Sequence, residues 1–301
     1  MEDNTPLGEF LRSRRSRIKP EDVGVTSYGQ RRVSGLRREE LAQLAGVSVT
    51  YYTRLEQGQS TRASESVIEG LARALNLTDD ERAHLHNLAR PAPEQPRRPA
   101  RPAMASKGVK ALLAALGDVP ALVIGVRHEV LAWNRLGHLL LAGHLDFAAP
   151  DRPSDRPNLT RMLFLDPHQR ELYARWEQEA KCSVAALRLV VGAHKDDREL
   201  ADLIGELCVK SQEFATWWSK HPVASHVSGS KRFQHPEVGE LELRFETLLM
   251  PDGSDQRVLM YHAEPGSSAE AGIRLLRDSA DFVKRAERVV ERAAGRRDSG
   301  A

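Results

Sequence analysis

The stretch from Gly35 to Gly58, GLRREELAQLAGVSVTYYTRLEQG, constrains this chain more than any other. Leu36, Leu41, Leu44 and Ala45 recur at helical spacing behind the charged run Arg37–Glu40, so the stretch begins as an amphipathic helix. Gly46 takes the left-handed conformation that ends such a helix, and Ser48 caps a second one over Val49–Gln57, closed by Gly58. Two short helices joined by a glycine turn make a helix-turn-helix, whose second helix fits a DNA major groove. Leu41, Leu44, Ala45, Val47, Tyr52 and Leu55 are expected to lock the pair together. Ser48, Thr50, Tyr51, Thr53 and Arg54 are left to face outward. A helical hairpin with no DNA role would share the glycine turn. What separates the two is the ending YYTRLEQG, which resembles the recognition helix of the lambda-repressor/Cro-like (XRE) proteins with their "LExG" signature.

Charge distribution supports the first reading. The formal net charge of the 301 residues is only +2, yet residues 1–110 hold 19 Lys+Arg against 14 Asp+Glu, and the remainder 25 against 28. Between Phe10 and Arg38 lie Arg12, Arg14, Arg15, Arg17, Lys19, Arg31, Arg32, Arg37 and Arg38, opposed before the motif by Glu21 and Asp22 alone. A basic run is commonly just a solvated face; beside this motif it reads as a footprint for phosphate.

Around the motif, Pro6–Ile18 reads as a helix with Leu7, Phe10, Leu11 and Ile18 on one face. Lys19–Gly35 is irregular, and long enough to suggest a phosphate clamp or minor-groove arm carrying Arg31 and Arg32. Ser64 caps a further helix, and Thr78 with Glu81 forms a capping box for a fifth that ends near Leu88. Residues 1–90 are therefore expected to be an all-α domain. The five prolines of PAPEQPRRPARP make residues 91–106 a stiff linker.

The second half changes period. After a helix near Lys107–Leu116, Ala121–Val126 and Val130–Trp133 read as a β-hairpin that runs into a helix. Asp166-Pro167 starts a helix expected to run through Tyr173 and Trp176; another covers Val184–Val191. Asp196 with Glu199 starts the next, ending at Phe214, Trp217 and Trp218. Two late strands, Leu241–Leu249 and Arg257–Ala263, join across Pro251-Asp252-Gly253, and Ser267 with Glu270 caps a last helix. Hairpin, helices, hairpin predicts an α+β domain with an antiparallel sheet over 107–280. Residues 281–301 read as a helical extension whose apolar stripe (Leu275, Ser279, Phe282, Ala286, Val289, Ala293) suits either docking at home or subunit pairing.

Other functions find little support. Two cysteines are too few for a disulfide framework or a thiolate metal site, and His84 and His86 diverge on one helix. There is no HExxH, nucleophile elbow, P-loop or dinucleotide GxGxxG pattern, so no enzyme, metal or cofactor is expected. No apolar run is long enough to span a membrane and no signal pattern opens the chain, which predicts a cytoplasmic protein with no membrane association.

The order of the motifs also resembles a family. The helix-turn-helix, the proline linker, then PALVIGVRHEVLAWN, RMLFLDP, RELYARWEQEA, ELCVKSQEFATWWSKH, KRFQHPEVGELELRFETL and VLMYHAEPGS are similar to the MmyB-like transcriptional regulators over about residues 7–280. The resemblance implies a lambda-repressor-like DNA-binding domain and a PAS-like ligand-binding domain, for which a long-chain fatty acid is a ligand in the family. On that footing Arg31, Arg32, Arg37, Arg38, Gln43, Ser48, Thr50, Tyr51 and Arg54 are the expected DNA contacts. A mostly apolar pocket with few polar anchors would draw on Trp133, Asn134, Phe164, Tyr173, Trp176, Arg188, Trp217, His235 and Tyr261, with Arg188 or His235 pairing a carboxylate. The expected partners are double-stranded operator DNA, an apolar small molecule and a second copy of the chain. The alternative is a C-terminal domain that recruits or pairs with protein and takes no small molecule; an antitoxin role is disfavoured by the size of that domain.

Overall fold

The computed structural model describes residues 5–25, 33, 35–60, 63–89 and 103–279. The chain divides into two compact units, Met1–Pro96 with Lys181–Ser225, and Arg97–Ala180 with His226–Ala301. Chain order suggested 1–90 and then 107–280; in space the segment 181–225 groups with the N-terminal helices. Most of the proline linker, the extension over 281–301, and Arg31 and Arg32 lie outside the described residues.

In the first unit, α1 (Pro6–Arg17) starts at Thr5, whose hydroxyl accepts from Gly8 N at 3.3 Å. After it come α2 (Arg38–Ala45), α3 (Val49–Glu56), α4 (Glu65–Ala74) and α5 (Asp79–Ala89). The caps fall where the sequence puts them. Ser48 accepts from Tyr51 N, Ser64 from Val67 N, and Thr78 and Glu81 bond reciprocally. Gly46 closes α2 at φ +71°, a conformation that costs a residue with a Cβ. Leu7, Phe10, Leu11, Leu36, Leu41, Tyr52, Leu55, Ile68, Leu71 and Leu85 make one apolar core. Leu44, expected inside, is 40% exposed, and Ala42, which the spacing argument passed over, is fully buried in the lock between the helices.

The same unit contains most of α10 (Trp176–Ala193), α11 (Arg198–Lys210) and α12 (Gln212–Trp218). The expected helix over Val184–Val191 is the middle of α10. Asp197 rather than Asp196 caps α11, and Ser211, accepting from Phe214 N, breaks the expected single helix into two.

The second unit is built on a five-stranded antiparallel sheet: β1 (Ala121–Ile124), β2 (Val130–Trp133), β3 (Ser228–His235), β4 (Gly239–Leu249) and β5 (Arg257–His262), in the order β2-β1-β5-β4-β3. Leu122 pairs with Leu259, Phe245 with Tyr261 and Phe233 with Leu241. Their side chains lie in one apolar cluster with α7 (Arg135–Ala142), α8 (Leu159–Leu165), α9 (Pro167–Leu172) and a last helix, α13, over 268–279. The opposite face of β1 and β2 packs Val123 and Leu131 against Leu113 of α6 (Lys107–Ala115). This is the PAS-like α+β domain. Strand β3 was not anticipated, because Phe233 is the one apolar side chain of SGSKRFQH, set among Lys231, Arg232 and Gln234. The helix expected through Tyr173 and Trp176 is interrupted: Tyr173 is extended and bridges Phe233, and Trp176 begins α10. Among the described residues no helix is long and apolar enough to cross a membrane.

Candidate functional site

The helix-turn-helix presents its second helix as the motif requires. Gln43, Ser48, Thr50 and Arg54 are exposed, whereas Tyr51 and Thr53 are half-buried. On the other side of α3, Tyr52, Leu55 and Glu56 are fully buried. An exposed face and a packing face therefore share an eight-residue helix, with Tyr51 and Thr53 at the border between them.

Glu56, the acidic residue of the LExG signature, organises the arginines around it. Arg15 grips its carboxylate with two bonds (Nε to Oε2 2.9 Å, Nη2 to Oε1 2.8 Å) and Arg38 adds Nε to Oε1 at 3.0 Å. Arg12 stands 3.7 Å away. Burial alone would raise the carboxyl pKa; hydrogen bonds from Arg15, Tyr52 and Arg38 outweigh it and hold it below the ordinary value. Gly8 makes the site possible from α1, since a Cβ there would fall 2.3 Å from the Glu56 carbonyl oxygen.

This corrects the reading of the basic run. Arg14, 4% exposed, pairs Glu81 at 2.8 Å and donates to the His221 carbonyl at 2.8 Å. Burial is the main cause that lowers its pKa to about 10. Arg17 donates to the Lys220 carbonyl. Arg12, Arg14, Arg15 and Arg17 thus serve carboxylates and carbonyls within the fold, and Arg38 is tied to Glu56. Counting arginines near the motif overstated the phosphate footprint, because the buried acceptors lie far away in sequence. Arg37 starts α2, its N–H donating to Glu40 Oε2 at 2.7 Å with its side chain half-buried.

In the sheet domain the predicted ligand residues separate into three groups. Trp133, Tyr173 and Tyr261 belong to the inner apolar cluster with Phe233 and Phe245. Tyr173 and Tyr261 share a side-chain hydrogen bond, and burial pushes both phenols up, so both stay protonated. Phe164 and Trp176 meet edge to face at 5.9 Å, with Arg170 stacked 4.0 Å over the Trp176 ring. Asn134 and His235 are bound to the backbone. Asn134 caps α7 through Gly137 N and also ties Ala121 N and Val119 O; His235 Nε2 sits 3.1 Å from the Leu139 carbonyl oxygen.

The other two expected ligand residues are Arg188 and Trp217. They belong to the helical unit, where Arg188 stacks 3.5 Å over Trp218 and donates to its carbonyl, and Lys181 lies 5.5 Å over Trp217. Desolvation lowers the Arg188 pKa to about 10. Its guanidinium holds a helix-end carbonyl, which attracts a cation for the same electrostatic reason as a carboxylate.

The cation beside the aromatic cluster is Lys231. Its ammonium donates to Glu179 Oε2 at 2.6 Å and lies 4.8 Å from the Phe245 ring and 5.6 Å from that of Tyr173. The alternation Lys231, Phe233, His235 along β3 carried the signal, had the segment been read as a strand. Among the described residues one group has the makings of a metal site: Glu65 and Glu69 on α4 with His86 on α5. Its ring nitrogens lie 3.4 and 3.0 Å from the two carboxylates, and Arg82 already stands 3.6 Å from Glu69.

Comparison with known families agrees with this geometry. A helix-turn-helix domain family matches residues 6–85, and the MmyB-like transcription regulator ligand binding domain matches residues 105–276. No curated protein matches the chain. With more than half its length in that second match, and an exposed reading helix ahead of a PAS-like sheet, the chain belongs to the MmyB-like transcription regulators, DNA-binding proteins with a C-terminal ligand-binding domain.

Proposed function

We propose that this regulator reads a specific operator with α3 and responds to an amphipathic carboxylate of the fatty-acid type held in the PAS-like domain. On the DNA side, Thr50, Tyr51 and Arg54 approach base edges, while Gln43, Ser48, Arg31, Arg32 and Arg37 serve phosphates, joined by the partly exposed Arg38 from its anchorage on Glu56. Their exposure on α2 and α3 supports this for Gln43, Ser48, Thr50 and Arg54. Two copies bind half-sites one helical turn apart, as two-fold operators require. A bacterial cytoplasm is the natural setting.

On the ligand side, the observation that carries the reading is Lys231, a cation set among the rings of Phe245 and Tyr173 at the margin of a large apolar cluster. In the ligand-bound form an incoming carboxylate shares or displaces the Glu179 partner of this cation, and the cluster accepts the chain. Burying about twelve methylenes contributes roughly 10 kcal/mol gross, so the protein should retain lipid through purification. Mass spectrometry of the full chain, native and after denaturing extraction, tests this: the expected result is one acidic amphiphile per chain, lost or depleted in Lys231→Met. A chain that is empty as purified, and still empty after incubation with fatty acids, would favour the protein-interaction alternative and leave the DNA-reading surface untouched.

A further inference from the structure

The segment Lys181–Ser225 lies inside the region matched to the ligand-binding domain, yet it is built into the helix-turn-helix unit. Leu189 and Val223 belong to the same apolar core as Phe10, Tyr52 and Leu85. Three arginines close on the carbonyls at the end of α12: Arg188 on Trp218, Arg17 on Lys220 and Arg14 on His221. Around them, Lys195 Nζ donates to the Leu88 carbonyl at 2.8 Å, and Ser225 N to Asp80 Oδ2 at 2.7 Å. His84 of α5 is buried so closely against α10 that a Cβ on Gly192 would fall 2.5 Å from its Nδ1.

We propose that Lys181–Ser225 is a clasp on the DNA-reading domain, and that its seating sets DNA affinity. The inference rests on the DNA-binding reading. The direction follows from what the clasp covers and what it leaves open. It completes the core behind α1 and α5, and with it seated Gln43, Ser48, Thr50 and Arg54 remain exposed. The seated clasp is therefore the DNA-competent form, and loosening it lowers affinity. The route for a signal is α10 itself, whose first turn, Trp176–Ala180, is grouped with the sheet domain and whose remainder belongs to the clasp. A ligand that alters the first turn acts on the clasp through one continuous helix.

The test is Gly192→Ala in the full chain, with hydrogen exchange and titration of a duplex selected in vitro on the wild-type protein. Helix propensity alone predicts that this change tightens α10. The clasp predicts the opposite: faster exchange in α1 and α5 at unchanged exchange in β4 and β5, with affinity lower by roughly 5- to 150-fold, the usual range for coupled sites. Lys195→Met, which removes the bond to Leu88 without adding a Cβ against His84, should move both readouts the same way by less. Wild-type exchange in α1 and α5, or faster exchange at unchanged affinity, overturns the clasp. If Gly192→Ala also speeds β4 and β5, Lys195→Met decides by the same criteria. Failure to select any duplex would remove the DNA-binding reading itself, whereas the exchange arm still reports on the clasp.

Discussion

A carboxylate with no solvent exposure survives in a small helical domain only if its charge is met on every side, and Glu56 is met by Arg15, Arg38 and Tyr52. Replacing such a pair with well-packed apolar groups is often neutral, but removing one member strands the other charges. Glu56→Ala should therefore destabilise the protein by about 3–5 kcal/mol in urea unfolding, since it leaves two guanidinium groups facing an empty centre. A loss below about 1 kcal/mol would place the network with ordinary surface pairs. The LExG signature is legible in sequence, but its chemistry is not. The leucine and the glycine announce a core position and a helix stop, whereas the glutamate reads as one more charged residue until Arg15, 41 positions earlier, folds onto it.

Helix α3 is divided by face, and spacing made most of that division readable, with Tyr52 and Leu55 inward and Thr50 and Arg54 outward; Tyr51 and Thr53, expected outward, are half-buried. If Arg54 reads a guanine, Arg54→Ala should cost about 1–3 kcal/mol on the selected duplex and far less on random DNA, measured by titration at fixed salt. Equal losses on both would make Arg54 a phosphate contact. Caps were the other legible feature, because Ser48, Ser64 and the Thr78–Glu81 pair act within their own turn. What depends on remote partners was not legible. Strand β3 becomes a strand by pairing with β4 along its whole length, against a composition rich in charge. Ser211 splits α11 from α12 at a point where helical periodicity continues through it.

Across the described residues of the whole molecule, His84 and His128, one in each unit, contribute to the response to acid together with His221, which burial also holds at about 4, and the buried His138, whose pKa is also lowered. Burial holds His84 at about 3 and His128 at about 4, each below the ordinary imidazole value near 6.5. Both are neutral when folded, and the unfolded chain takes up the protons. Their contribution is fully present above about pH 6.5 and is lost as pH falls toward the folded values, by about 1.4 kcal/mol per pH unit for each group. Urea midpoints should drop steadily from pH 7 to pH 5; a flat or rising profile would contradict the assignment. At this scale the order of domains was legible, and the grouping of Lys181–Ser225 with the N-terminal helices was not, since no motif marks which unit a helix will join. That grouping bears on biosynthesis. The helix-turn-helix segment leaves the ribosome before the sheet domain, but the residues that complete its unit end at Ser225, well over a hundred codons after Pro96. At about 5–20 residues per second its apolar surface waits roughly 6–26 s for cover, an interval in which a nascent chain depends on chaperones.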